Sequence, residues 1–246
     1  MILRLVIRSL IVLLLFGHSL WLMANGHWLI GFVENSGVLA YLLWGTLCPT
    51  SRLFGPIKNS VPQGIALTID DGPDPKDTPV LLDLLDEFQA KATFFLIGEK
   101  AQQHPELVRE IRRRGHQVGN HSWSHPQASF WAAGPVRTYR EIAKCQQCLT
   151  DITGEAPTVF RAPVGHHTYF VHPVLKALGL ELIGWNCRGY DAGGGSVDKV
   201  MKRIRDGLCD GSIILAHEAT PIAEPVIRGV LEEARDRGYP FVATIK

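Results

Sequence analysis

The sequence predicts an α/β fold: an incomplete TIM-like barrel of seven strands behind an apolar N-terminal membrane segment, with an open doubly wound sheet as the alternative. Three observations carry that expectation. From Gly64 onward, short apolar runs alternate strictly with amphipathic ones. Polar residues that do not belong in a core gather at the carboxyl ends of the apolar runs. The first 48 residues are far more apolar than the remainder of the chain.

The apolar runs predict strands over 65–70, 92–97, 117–121, 158–161, 180–185, 212–217 and 240–244. The amphipathic runs between them predict helices over 78–88, 99–114, 136–150, 172–178, 197–208 and 222–237. Pro79 suits a first helical turn, and His104-Pro105 marks a turn or a helix start. Gly115, Gly179 and Gly238 each stand just past a helix, where a left-handed residue ends it. Strict βαβα order implies parallel strands joined by right-handed crossovers. Active sites of such sheets lie at the carboxyl ends of the strands.

The N-terminal segment has its own logic. Residues 5–24 form one hydrophobic stretch of about bilayer-spanning length, preceded by Arg4 and interrupted by Arg8. A second stretch, 28–47, carries Glu34 and Asn35. The division is thus 1–48 as membrane anchor of one or two helices, 49–61 as linker, and 62–246 as the globular part. Leu22-Met23-Ala24 is a poor cleavage site, so an uncleaved segment is expected. Arg4, Arg8, Arg52 and Lys58 all fall on one side of a two-helix hairpin, which favours an inner-membrane protein with a cytoplasmic globular part. Glu34 opposes that topology, since a carboxylate in a spanning helix costs about 3 kcal/mol on insertion scales. An interfacial second helix is the alternative.

Composition excludes more than it assigns. With 25 basic and 24 acidic residues the formal charge is +1, so there is no basic excess to neutralise nucleic-acid phosphates. Five cysteines at irregular spacing do not make a disulfide framework. Cys145-x-x-Cys148 lies inside a helical pattern and reads as two thiols on one helix face.

The candidate site is built from strand ends. Asp70 and Asp71 close the first strand, where Gly72-Pro73 supplies a turn that lets both carboxylates reach one pocket. His121 and His125 sit at and just beyond the third strand, a spacing that suits a transition metal. Asp71 would complete a two-histidine, one-carboxylate set with coordination positions left open, as catalytic zinc sites require. Arg161 ends the fourth strand and, once buried, needs a carboxylate partner, for which Asp70 is the candidate. Pro163 and Gly165 shape a loop whose backbone N–H groups can face an oxyanion. His217 ends the sixth strand and becomes a candidate general acid beside such a metal set.

These residues together resemble the polysaccharide deacetylase family, also called the NodB-homology or carbohydrate esterase family 4 group, over about residues 62–246. Thr68-Ile-Asp-Asp-Gly-Pro-Asp74, His121-Ser-Trp-Ser-His-Pro126, Arg161-Ala-Pro-Val-Gly165 and Leu215-Ala-His217 look like four of its ordered motifs, and 92–98 matches its second strand. The resemblance implies a distorted (β/α)7 barrel and a metal-dependent hydrolase that removes an N-acyl group, usually acetyl, from an amino sugar. It implies a divalent metal, usually Zn2+, on Asp71, His121 and His125, with Asp70 as base, Arg161 as its partner and His217 as acid. The Val164 N–H would hold the oxyanion, and Leu215 would line the acetyl pocket; Pro163 and Asp191 are further candidate substrate contacts. With the apolar segment, the expected substrate is an N-acetylated glycan or glycolipid at the membrane. The fourth motif departs from the family: Arg188 stands where its first Asp is expected and Ala192 where Trp is expected. Arg188 is therefore expected to lower the His217 pKa, with Asp191 or Glu218 compensating. A non-sugar amidase and an inactive carbohydrate-binding membrane protein are the competing readings.

Overall fold

The computed structural model describes residues 2–245, and their side chains except those of 2–6, 8 and 9. Two helices, α1 (Ile2–Ala24) and α2 (Trp28–Leu47), form an antiparallel hairpin closed by the turn Asn25-Gly26-His27. Arg4 and Arg8, on which the orientation argument leans, lie outside the described side chains. Among the described residues no helix, taken singly, is long and apolar enough to cross a membrane, so the expected transmembrane segment gains no support from helix hydropathy.

The rest is an α/β unit with strands β1 (Ala66–Gly72), β2 (Ala92–Leu96), β3 (Gln117–Asn120), β4 (Val159–Phe160), β5 (Glu181–Leu182), β6 (Cys187–Arg188) and β7 (Ile213–His217). They form one parallel sheet in the order β5-β4-β3-β2-β1-β7-β6. Helices α3 (Asp77–Glu87), α4 (Gly98–Gln103), α5 (Pro105–Arg113), α6 (Pro135–Thr153), α7 (Val171–Leu178), α8 (Val197–Gly207) and α9 (Ala223–Asp236) connect them. The sheet curls into a partial barrel whose outer edges, β5 and β6, do not pair. The segment before β1 stands in that gap: Lys58 bridges to Ile183 and Ser60 to Ser212. Residues 49–61 are thus packed and not a free tether, with Leu53, Phe54, Ile57 and Val61 all buried.

Both faces of the sheet are covered, which is why its strands read as near-continuous apolar runs. Leu67 and Ile69 of β1 face the outer helices, packing with Leu81, Leu85, Ile227 and Val230. Alternate residues face the barrel interior, where Phe95, Val159, Ile183, Trp185, Ile213 and Leu215 cluster.

Two sequence expectations are corrected. The run 240–244 is not a strand; it makes a single bridge, Ile65 to Phe241. Pro240 lacks an N–H, and both edges of β1 are already taken by β2 and β7. The seventh strand is instead Cys187–Arg188, whose short polar run gives no periodic signal. The helix expected over 99–114 is two helices, because Pro105 starts a new one at its first turn.

Candidate active site

The carboxyl edge of the sheet gathers the polar strand ends. In register, Asp70 on β1 lies opposite His217 on β7, and Asn120 on β3 lies opposite Phe160 on β4. The next residues along each strand, His121 and Arg161, are therefore neighbours, and the His121 ring Nδ1 donates to the Arg161 carbonyl at 2.8 Å. That bond leaves Nε2 as the free lone pair, the arrangement a metal-ligating imidazole uses.

How adjacent Asp70 and Asp71 reach one pocket is settled at Asp71 itself. The register slips between Asp70 and Gly72, and Asp71 takes a left-handed φ of 72°. This β-bulge, and not the Gly72-Pro73 turn expected from the sequence, re-aims the second carboxylate. Gly72 serves a different need: a Cβ there would overlap the Glu218 carboxyl beneath it. Lys100, on α4, donates its Nζ to the Asp71 carbonyl at 2.6 Å and braces the bulge. Nothing in the sequence marked this lysine, since a helix lysine ordinarily reads as solvated.

Asp71 Oδ1 lies 3.5 Å from His121 Nε2 and 3.3 Å from His125 Nε2. These three groups offer ligand atoms within 4.8 Å of one another. Asp71 Oδ1 is buried without a hydrogen-bond partner, an orphan that a cation would satisfy. Burial alone would raise the Asp71 pKa, but the adjacent His121 and His125 imidazoles outweigh it and hold the carboxyl below its usual range. Burial lowers the His125 pKa to about 3, so this imidazole is neutral near neutral pH and able to ligate. The donor set fits a divalent transition metal.

Asp70 is nearly inaccessible, and so is Arg161, which places Nη1 2.8 Å from Asp70 Oδ1. The guanidinium also donates to Thr68 Oγ1, to the Gly184 carbonyl and to the Ile183 carbonyl, so the buried cation is fully engaged. Asp70 Oδ2 remains on the metal side, 3.6 Å from His121 Nε2.

His217 donates its backbone N–H to Asp191 Oδ2 at 2.7 Å, and its ring Nδ1 lies 3.0 Å from Asp191 Oδ1. Burial would lower the His217 pKa; the Asp191 hydrogen bond and charge, with the charges of Asp70 and Asp71, raise it instead. Asp191 is thus the hydrogen-bond partner of His217, and it is buried. The expectation that Arg188 lowers the pKa of this histidine is not met. The Arg188 guanidinium lies over the Tyr190 and Trp185 rings, at 4.0 Å and 5.3 Å from their centroids. Glu218 does not compensate either: it is fully buried, accepts a short hydrogen bond from Thr78 Oγ1, and is raised by burial to about 8.

The remaining expected contacts separate by depth. Pro163 is buried and Leu215 lies in the barrel interior beside Trp185. Val164 is 47% exposed at the rim, with φ 57° and, just after it, Gly165 at 75°. A left-handed β-branched residue is strained, so the surrounding loop must hold this backbone in place.

The polysaccharide deacetylase family model matches residues 58–183. Peptidoglycan-N-acetylglucosamine deacetylase PgdA of Listeria monocytogenes is 37% identical over 178 residues, which cover 72% of this chain and 37% of that protein. A peptidoglycan-N-acetylglucosamine deacetylase of Bacillus cereus is 31% identical over 206 residues, 82% of this chain and 95% of that one. The crystal structure of the Bc1960 peptidoglycan N-acetylglucosamine deacetylase superposes with a TM-score of 0.71 at 29% identity, over 76% of this chain and 89% of that one. With the strand-end carboxylates and histidines arranged as described, this chain belongs to the polysaccharide deacetylase family.

Proposed function

We propose that the chain is a metal-dependent hydrolase that removes the N-acetyl group from an amino sugar of the N-acetylglucosamine type. The observation that carries this reading is the meeting of three units at one sheet edge: Asp71 with His121 and His125, Asp70 with Arg161, and His217 with Asp191. A divalent cation, most simply Zn2+, would be held by Asp71, His121 and His125, where it would polarise the amide carbonyl and lower the pKa of water. Arg161 holds one Asp70 oxygen, so the other is the oriented acceptor for the proton of the attacking water. With Nδ1 bonded to Asp191, His217 presents Nε2 to the mouth and protonates the leaving amine. The raised pKa keeps this imidazole charged at a pH where an ordinary histidine has lost its proton. The Val164 N–H, at the rim, is the donor assigned to the oxyanion, and Leu215 with Trp185 forms the apolar floor for the acetyl methyl.

Acetate release from an N-acetylglucosamine oligosaccharide tests the reading. Asp70→Asn and His217→Ala should each keep the metal and lose about 10²–10⁴ of the turnover. Wild-type rates in both variants would remove these two residues from the chemistry.

A further inference from the structure

The α1–α2 hairpin is apolar around most of its outer surface: Leu13, Leu14, Leu29 and Phe32 are each more than 60% exposed. Two of its polar residues, the largely buried Glu34 and the more exposed His18, meet across the helix pair. Glu34 on α2 pairs with His18 on α1 at 3.0 Å, Asn35 reaches Met23 Sδ at 3.9 Å, and Ser19 is fully buried. The helices touch at Gly31, where a Cβ would stand 2.7 Å from the Ser19 carbonyl, the close approach that small residues allow between helices in lipid. In the folded hairpin Glu34, the sequence's main objection to a bilayer, has a partner in His18, while Asn35 Oδ1 and Ser19 Oγ are buried without a hydrogen-bond partner.

The dimensions and the aromatic pattern fit lipid. Helices of 23 and 20 residues, rising 1.5 Å per residue, span about 30 Å, the thickness of a hydrocarbon core. Exposed Trp21 and Trp28 flank the turn, and exposed Tyr41 and Trp44 lie near the other end, as interfacial belts do.

The base of the hairpin is tied to the active-site rim. The His167 N–H donates to the Thr46 carbonyl at the end of α2, and its ring Nε2 lies 3.0 Å from the Ser51 carbonyl. Pro49 packs against Gly165, one residue from Val164. Phe54 meets Tyr169 edge-on, and exposed Tyr169 and Phe170 carry the apolar surface from the hairpin base onto the loop beside the mouth. The loop that shapes the oxyanion position is therefore fastened to the foot of the hairpin.

We propose that the hairpin is seated in a lipid bilayer as a paired unit, and that its junction with the 163–167 loop holds the mouth at the membrane surface, so that the substrate is an N-acetylated amino sugar carried on a lipid. The substrate half rests on the deacetylase reading; the bilayer half does not.

The test uses the full chain with vesicles of phosphatidylethanolamine and phosphatidylglycerol, and two substrates. One is a synthetic N-acetylglucosamine glycolipid in those vesicles, the other the water-soluble N-acetylglucosamine trisaccharide. The chain should float with the vesicles and favour the glycolipid by at least about tenfold in kcat/KM, the scale that about 1.4 kcal/mol of positioning gives. Leu14→Arg with Phe32→Arg, on the outer face, should abolish flotation and the preference while turnover of the trisaccharide persists. A wild-type chain that stays in the aqueous fraction, or buries the hairpins in a discrete dimer that excludes lipid, overturns the bilayer half. Equal rates on both substrates overturn the lipid-carried substrate. Flotation with turnover of neither overturns the deacetylase reading and the substrate half with it, and supports the bilayer half.

Discussion

Replacing Arg161 with leucine takes the cation from beneath the mouth and leaves Asp70 behind. The carboxylate is 3% exposed and held by that guanidinium at 2.8 Å, and the same side chain satisfies Thr68 Oγ1 and the Gly184 carbonyl. Breaking a buried ion pair from one side costs about 3–5 kcal/mol, most of it from the charge left uncompensated. For a chain of this length that lowers Tm by about 6–20 °C, at 2–4 °C per kcal/mol. Thermal and denaturant unfolding of the full chain, with chelator present so that no metal contributes, measure it. The cause is separable from the lost volume. Asp70→Asn with Arg161→Leu removes the stranded charge and should be more stable than Arg161→Leu alone by at least about 1 kcal/mol. A loss below about 1 kcal/mol in the single variant, or a double variant no more stable than it, would refute the reasoning from a stranded charge.

Asp191→Asn takes the charge from behind His217, so the alkaline limb of kcat/KM should move to lower pH; a limb that stays in place would detach Asp191 from the acid. His121→Ala and His125→Ala should each lose bound metal, whereas Asp70→Asn should retain it, as read by metal content and indicator competition; full metal in both histidine variants would mean the site is wrongly placed. His116 is buried and accepts the Ala92 N–H on Nδ1, and burial lowers its pKa from 6.5 to about 4. The unfolded chain therefore protonates first. The stabilising contribution of this residue is present above about 6.5 and is lost as pH falls toward about 4. His116→Gln should flatten that portion of unfolding free energy against pH, and an unchanged slope would contradict the assignment.

The legible parts of this molecule are those with a period or an ordered motif. Strands β1, β2 and β7 are readable because runs buried on both faces are long and apolar, and the polar residues ending them have no place in a core. The pairings across the mouth come from those strand ends together with motif order. β6 is not readable, since two residues carry no periodicity and their pairing is decided by the edge of β7. The bulge at Asp71 escapes the sequence because Asp-Gly-Pro points to the turn after it, while the left-handed residue is the aspartate. The partner of His217 is obscured for a related reason: alignment to a motif ranks positions by order, and only the chain path after β6 shows that Asp191 faces the ring while Arg188 stacks on Tyr190. The His18–Glu34 pair joins residues sixteen apart on two helices, and no single-helix reading finds it.

The most direct test of the deacetylase reading is acetate release from an N-acetylglucosamine oligosaccharide by the full chain, stripped with chelator and then reloaded with Zn2+. The stripped protein should show no turnover, activity should recover with about one equivalent of metal, and one free amine should form for each acetate released. Metal bound in full at Asp71, His121 and His125 with no acetate released from acetylated sugars would contradict it.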